Sequence, residues 1–296
     1  MKFLKVLGAM LFFYSCNAQT KQVKLTTSPD NNTLLWEVSG NGLKSASYLF
    51  GTFHLMCKDD IHLSEQLKTA MSNSELLYLE MDMDDPSILL GGFMMMNMKE
   101  GKKLEDLYSP EDYEKLNVFF KDTLHMPLTM LQGTKPFFLA AMLYPKMMPC
   151  KSVSGVEEEL MKIAKQQKKE VKGLETLEFQ AAVFDSIPYE EQAKELLKSI
   201  DSMSTYKLYF DKMIKVYKAQ QLQEIENLFK DSEFGMENHQ DILLNKRNKN
   251  WVTQLKTIMS AGSVFTAVGA GHLVGEEGLI SLLKKEGYTL KPILNK

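Results

Sequence analysis

Two stretches decide the fold, Tyr48-Leu49-Phe50-Gly51-Thr52-Phe53-His54 and Val264-Phe265-Thr266-Ala267-Val268-Gly269-Ala270-Gly271-His272. Each is an apolar run of strand length that ends in Gly-x-x-His. A continuous apolar run bounded by glycine reads as a strand buried on both faces, as in parallel sheets. The same order of elements follows each turn. After His54 come Ser64 as an N-cap, a helix with Leu67, Ala70 and Met71 on one face, and an apolar strand over Leu76–Met81. After His272 come a helix over Glu276–Lys285 and a strand over Tyr288–Leu294. Two β-α-β units with equivalent turns predict a pseudo-repeat with right-handed crossovers in one sheet.

Working outward, Leu34–Val38 reads as a strand, and the turn cluster Ser39-Gly40-Asn41-Gly42 folds it back on the strand at 47–53 as a hairpin. Glu170–Leu174 is another strand, ending in Gly173-Leu174-Glu175. The predicted fold class is therefore α/β, a central mixed sheet flanked by helices. Residues 33–296 form a single domain with a helical insertion or lid at about 86–150. Within the insertion, Pro86–Met98 carries Met94, Met95, Met96 and Met98. Methionine fills irregular gaps well, so a buried or lid helix is the preferred reading over a copper site without nearby histidine. Pro110–Phe120 and Pro136–Tyr144 are helices with proline where a first turn tolerates it. Ser154 with Glu157 reads as a capping box, followed by a face of Val156, Leu160, Ile163 and Ala164. Residues 177–185, 189–203, 205–230 and 238–260 read as further helices.

The 296 residues are 44% apolar and 25% charged, an ordinary globular composition. The net charge of −3 leaves no basic footprint for nucleic acid. No Rossmann or Walker glycine motif points to a nucleotide cofactor. Lys2 and Lys5 precede the nine-residue apolar run Val6–Tyr14, too short to span a bilayer and of the size of a signal-peptide core. Residues 1–18 are expected to be a signal peptide cleaved after Ala18. The competing reading is lipidation of Cys16, the only predicted membrane contact. Either route predicts export, to a periplasmic or lipid-anchored life in the outer envelope. Residues 19–32 read as a loose, polar leader. Three cysteines are too few for a disulfide scaffold. Export permits a Cys57–Cys150 bridge, whose geometry the sequence does not test.

His54 and His272 lie just past the carboxyl ends of apolar strands, and Glu80 and Glu175 lie at such ends. In open α/β sheets the ligand crevice forms there. Neutral imidazole with carboxylate suits Zn²⁺, Mn²⁺ or Co²⁺, and a carboxylate beside metal-bound water serves as general base. Each signal has a bland counterpart. A histidine after a strand is commonly a hydrogen-bonded turn residue, Glu80 opens an acidic strand exit, and the capping box accounts for Glu157. Arg247 and Asn248 lie in a stretch that reads as a solvated helix face. His62, His125 and His239 have no supporting pattern. Cys57 lacks a neighbourhood that would lower its pKa.

Resemblance carries the reading further. Leu35-Trp36-Glu37-Val38 with Tyr48–His54 resembles the opening of the TraB/GumN family, which includes the pheromone-shutdown protein PrgY and the animal TIKI proteases. Glu80 in Leu79-Glu80-Met81-Asp82 is similar to the family's strand-end glutamate. Gly155-Val156-Glu157 and Gly173-Leu174-Glu175-Thr176 with Gln180 resemble its middle block. Arg247-Asn248 resembles its arginine-asparagine pair, and Ala267–Leu273 its closing block. The likeness runs from about Leu35 to Ile293. It implies a fold of the ChaN and erythromycin-esterase-like group and a metal-dependent peptidase using Mn, Co or Zn. His54, His272 and Glu80 are the expected metal ligands. Glu80, Glu175 and Arg247 are the expected catalytic residues, with Glu80 first as general base and Arg247 on a carboxylate or developing oxyanion. Gly51, Gly269, Gln180, Asn248 and Glu157 support them. The expected partner is a peptide or protein substrate. A non-catalytic peptide-sequestering protein is the rival reading, and a non-peptide ester hydrolase a weaker one.

Overall fold

A computed structural model describes residues 25, 26, 28, 30–230 and 239–296. The expected signal peptide, Cys16 included, lies outside the described residues. Eight strands form among the described residues: β1 Leu35–Gly40, β2 Ser47–Thr52, β3 Met56–Cys57, β4 Leu76–Met81, β5 Val153–Ser154, β6 Val171–Glu175, β7 Val264–Gly269 and β8 Tyr288–Pro292. Six build the main sheet in the order β6-β4-β7-β2-β1-β8, and β3 pairs with β5 in a small ladder. The sheet is mixed. β6, β4, β7 and β2 run parallel, and β1 is antiparallel to both β2 and β8. Every residue of β2 and β7 is buried, as expected of continuous apolar strands at the centre of a covered sheet. β1 and β2 form the expected hairpin, with Asn41, Gly40 and Gly42 at positive φ in its turn.

Twelve α-helices accompany the strands among the described residues. They are α1 Glu65–Ser72, α2 Pro86–Met95, α3 Pro110–Leu124, α4 Pro136–Ala141, α5 Tyr144–Met147, α6 Val156–Gln166, α7 Leu177–Asp185, α8 Tyr189–Asp201, α9 Met203–Lys218, α10 Leu222–Lys230, α11 Lys246–Ala261 and α12 Leu279–Lys285. Ser64 caps α1 by accepting from Leu67 N, as its side-chain chemistry predicts. Strand β2 leads through α1 to β4, two places away across β7. Strand β7 leads through α12 to β8, three places away in the other direction. The sheet therefore has a reversal of winding between β7 and β2, the place where α/β sheets open a crevice.

Four expectations change. Ser154 and Glu157 form no capping box. Ser154 is held in the ladder opposite Met56, so the helix starts one residue later with Gly155 as N-cap, and the Ser154 hydroxyl goes to Glu158. The helix expected at 205–230 breaks at Gln220, whose φ is +55°. Its side chain accepts from Leu34 N and donates to the Asn295 carbonyl, which ties the break to the sheet. The helix expected over 136–144 divides into α4 and α5, with Pro145 in the first turn of the second. Finally, the described part of the leader is tied down: Ser28 N donates to the Pro292 carbonyl and Leu294 N to the Thr26 carbonyl.

The insertion does not stand apart. Its α4 packs along α8 outside the insertion, Phe137 of α4 stacks on Phe184 of α7 at 4.3 Å, and Tyr108 donates to the Ala193 carbonyl of α8. Lys135, 1% exposed, joins three helices. Its ammonium bonds the terminal carbonyl of Met95 in α2 and the Asp185 carboxylate of α7 at 2.7 Å each, while the residue itself caps α4. No described helix is long and apolar enough to cross a membrane. The Cys57–Cys150 bridge is formed and joins β3 to the end of the insertion.

Candidate functional site

The four parallel strands bring their carboxyl ends to one edge of the sheet. Glu175 ends β6, Glu80 is the penultimate residue of β4, Gly269 ends β7, and Thr52 ends β2 two residues before His54. Helix α11 adds Arg247, Asn248 and Trp251 from one face, at helical spacing.

Arg247 is the hub. Its Nε donates to both Glu175 oxygens at 2.9 and 3.1 Å. One terminal nitrogen reaches Glu175 Oε2 at 2.8 Å and Glu80 Oε2 at 2.6 Å. The other donates to the Leu243 carbonyl at 3.0 Å and lies 3.3 Å from His272 Nε2. A guanidinium has five N–H groups, and all five are used. The Trp251 ring packs beneath it at 4.8 Å and against the His272 ring at 4.4 Å. Arg247 thus clamps two carboxylates and an imidazole, and has no free donor for a substrate oxygen. Glu175, with a side chain 1% exposed, is the inner counterion of that clamp.

The two histidines are built alike and exposed differently. His54 Nδ1 lies 2.7 Å from Glu157 Oε1, which also accepts from the Thr52 hydroxyl. His272 Nδ1 lies 2.7 Å from Asn248 Oδ1. The Asn248 amide donates to the Glu277 carbonyl, which orients its oxygen toward the ring. In both rings Nδ1–H is therefore the donor; Nε2 of His272 accepts from Arg247, and Nε2 of His54 turns toward the cleft. Both Nε2 atoms face one atom, Glu80 Oε1, at 4.0 Å from His54 and 3.8 Å from His272. At most about 8 Å separates them, whereas two ligand bonds near 2 Å span about 4 Å at most, so sharing one ion requires the rings to move together. The His54 side chain is 68% exposed, whereas that of His272 is 5% exposed. Glu80 Oε1 also accepts from Gly269 N at 2.8 Å.

The charges follow from these contacts. Burial alone would raise the Glu80 pKa, but the two histidines, Arg247 and the Gly269 N–H together lower it to about 2. Burial lowers the His272 pKa to about 3, so this ring is neutral and its Nε2 keeps a lone pair. Burial opposes protonation of His54 as well, but the hydrogen bond and charge of Glu157, with the charge of Glu80, raise its pKa. The ring's exposure to water tempers that rise. Glu157 is held ionised because the hydrogen bond and charge of His54 outweigh its burial.

The glycines have steric roles. A Cβ on Gly269 would stand 3.3 Å from both Glu80 Oε1 and His54 Nε2, in the gap between them. A Cβ on Gly51 would meet Leu273 Cδ1 at 2.8 Å, so β2 could not approach the second turn. His54, Glu80, Glu157, Glu175, Arg247, Asn248 and His272 are thus brought together. Gln180 lies half-buried on α7, with no contact to this set shown. His62 is exposed, His125 ends α3 and His239 pairs with Glu191, so none joins the site. Sequence reading overlooked Trp251. Its place four residues after Arg247 on one helix face was the available signal.

The TraB/PrgY/gumN family matches residues 34–292. The chain belongs to that family. It is 26% identical over 246 residues to "Uncharacterized protein YbaP" of Shigella flexneri, covering 80% of this chain and 88% of the relative. It is 25% identical over 245 residues to the protein of the same name from Escherichia coli (strain K12), covering 80% and 87%. No solved structure matches it.

The donor set fits a divalent metal in chemistry: two imidazoles, each with Nδ1 tied to a fixed acceptor, and a carboxylate oxygen between their Nε2 atoms, of which that of His272 would exchange its Arg247 donor for the ion. Among the described residues no three such side chains are already close enough to enclose an ion. Binding would require the two Nε2 atoms to come within about 4 Å of each other.

Proposed function

We propose that this TraB/PrgY/gumN-family chain is an exported hydrolase that cleaves an amide bond in a peptide or protein at the His54–Glu80–His272 cleft. The observation that carries the reading is the convergence of both histidine Nε2 atoms on Glu80 Oε1, with each Nδ1 already committed elsewhere. His54 Nε2, His272 Nε2 and Glu80 Oε1 would hold Mn²⁺, Co²⁺ or Zn²⁺. Such a metal, when bound, supplies Lewis acidity toward a carbonyl and lowers the pKa of water.

The protein's own groups supply orientation. Glu157 keeps the proton of His54 on Nδ1, and Asn248 does the same for His272. Arg247 fixes one oxygen of Glu80 and leaves the other facing the cleft. Glu80 is held ionised, as a metal ligand must be, with Oε1 facing both imidazoles. With its donors spent, Arg247 holds the site in place, and Glu175 holds Arg247. His54 is the solvent-facing member, so substrate enters from its side. The Cys57–Cys150 bridge supports export, since disulfides persist in oxidising compartments. Mass spectrometry of the mature N-terminus distinguishes a start at Gln19 from an acylated Cys16, and an intact Met1 rejects export by either route.

The test is a peptide-library digest with added Mn²⁺, Co²⁺ or Zn²⁺, beside a His54→Ala variant. Cleavage that depends on metal and is lost in the variant is expected. Peptide binding by both proteins, with cleavage by neither under any metal, would replace the hydrolase by a sequestering protein using the same cleft. Cleavage of esters alone would move the assignment to ester hydrolysis, which the same carbonyl chemistry serves.

A further inference from the structure

His54 and Glu157 are 103 residues apart, and yet their pairing orients the exposed ring of the cleft. Their neighbours show how the pair is kept together. Residues 52–58 and 150–157 run side by side. The backbone of Val156 donates to Phe53 and that of Lys58 to Ser152, and between them Met56 pairs with Ser154 and Cys57 with Val153. This ladder is two residues long on each side, and an isolated two-stranded piece of that size is marginal in water. The Cys57–Cys150 disulfide lies at one end of it, and the His54–Glu157 pair with the Thr52 hydroxyl lies at the other.

We propose that the Cys57–Cys150 disulfide is a positioning element of the cleft, clamping the short ladder that holds Glu157 against His54. The inference rests on the reading of His54 given above. Through the sulfurs, the path from His54 to Glu157 shrinks from 103 residues to about a dozen. By the three-halves-power law for chain closure, that raises the local concentration of one partner at the other roughly twentyfold. Helix α6 and the Thr52 hydroxyl also hold Glu157, so opening the bridge loosens the pair without abolishing it. Cys57 is buried and Cys150 half-buried, so a reductant approaches from the Cys150 side. In that step a dithiol gives two electrons and two protons to the bridge. The S–S bond of the protein becomes two thiols, and the donor becomes a disulfide.

The test uses the full chain labelled with ¹⁵N-histidine. The His54 Nδ1–H resonance is identified by its loss in His54→Gln. In the oxidised protein this signal is expected to be protected from exchange by Glu157. After reduction with dithiothreitol, and in the Cys57→Ala/Cys150→Ala variant, it is expected to broaden into exchange with water, with Co²⁺ affinity falling about tenfold. An unchanged resonance in a protein that has gained two titratable thiols on reduction and keeps native circular dichroism overturns the proposal. So does global unfolding on reduction, which would make the bridge a support of the whole fold rather than of this ladder. If the double variant does not fold, reduction of the folded wild-type protein carries the test. A resonance that responds while Co²⁺ binds neither form would uphold the clamp and reject the metal reading instead.

Discussion

Each of the five N–H groups of Arg247 has an acceptor, and two of its partners are carboxylates with little exposure. Removing the guanidinium leaves Glu80 and Glu175 facing each other without a cation. Arg247→Met is therefore expected to cost about 3–5 kcal/mol in urea unfolding. Arg247→Lys is expected to recover only part of that, because an ammonium cannot span both carboxylates and the Leu243 carbonyl. His272 gives a pH prediction. Its pKa is about 3 folded and about 6.5 unfolded, so between those values the unfolded chain binds the extra proton. Stability should fall as pH is lowered from about 6.5 toward 3. His272→Gln should flatten that part of the pH–stability curve in denaturant melts. A slope identical to wild type would show that the buried ring is protonated in the folded protein.

At the scale of elements, the second turn and the three-helix junction can be tested separately. Gly269 has an ordinary negative φ, so Gly269→Ala is allowed by the backbone. Its new methyl would enter the gap between Glu80 and His54. Stability within about 1 kcal/mol of wild type and loss of most Co²⁺ affinity by calorimetry are expected. At the junction, Lys135→Ala removes the buried ammonium from Asp185 and from the last carbonyl of α2. Asp185 keeps Lys99 and Tyr189, so the expected cost is about 2–4 kcal/mol in thermal or urea unfolding. Hydrogen exchange should place the loss in α2 and α4 first, ahead of the sheet.

For the molecule as a whole, the disulfide is the largest single constraint on the unfolded chain. It closes a sequence separation of 93 residues. Chain-entropy arguments put its contribution on the order of 4 kcal/mol. Cys57→Ala/Cys150→Ala should lower the stability by about that amount in a urea titration, and unchanged stability would show that the reduced unfolded chain is already compact.

The hairpin, the buried parallel strands, the Ser64 cap and the family were legible in the sequence, because they rest on local periodicity, capping chemistry and ordered motifs. The principal polar residues of the site were legible too, since strand ends in α/β sheets point to a crevice. Glu157 was misread. A Ser-x-x-Glu spacing describes a capping box well, and only the β3–β5 pairing removes Ser154 from the helix and frees the carboxylate for His54. The role expected of Arg247 depended on which of its donors were free, and that count exists only once α11 sets it between Glu80, Glu175 and His272. The break at Gln220 was hidden because the bonds that stabilise it reach Leu34 and Asn295, far away in the chain. What the sequence determined were elements and candidate chemistry, which depend on neighbours a few residues apart. Partners, exposure and protonation were decided by the tertiary structure, because burial and hydrogen bonding are set by residues from some two dozen to more than 150 positions away.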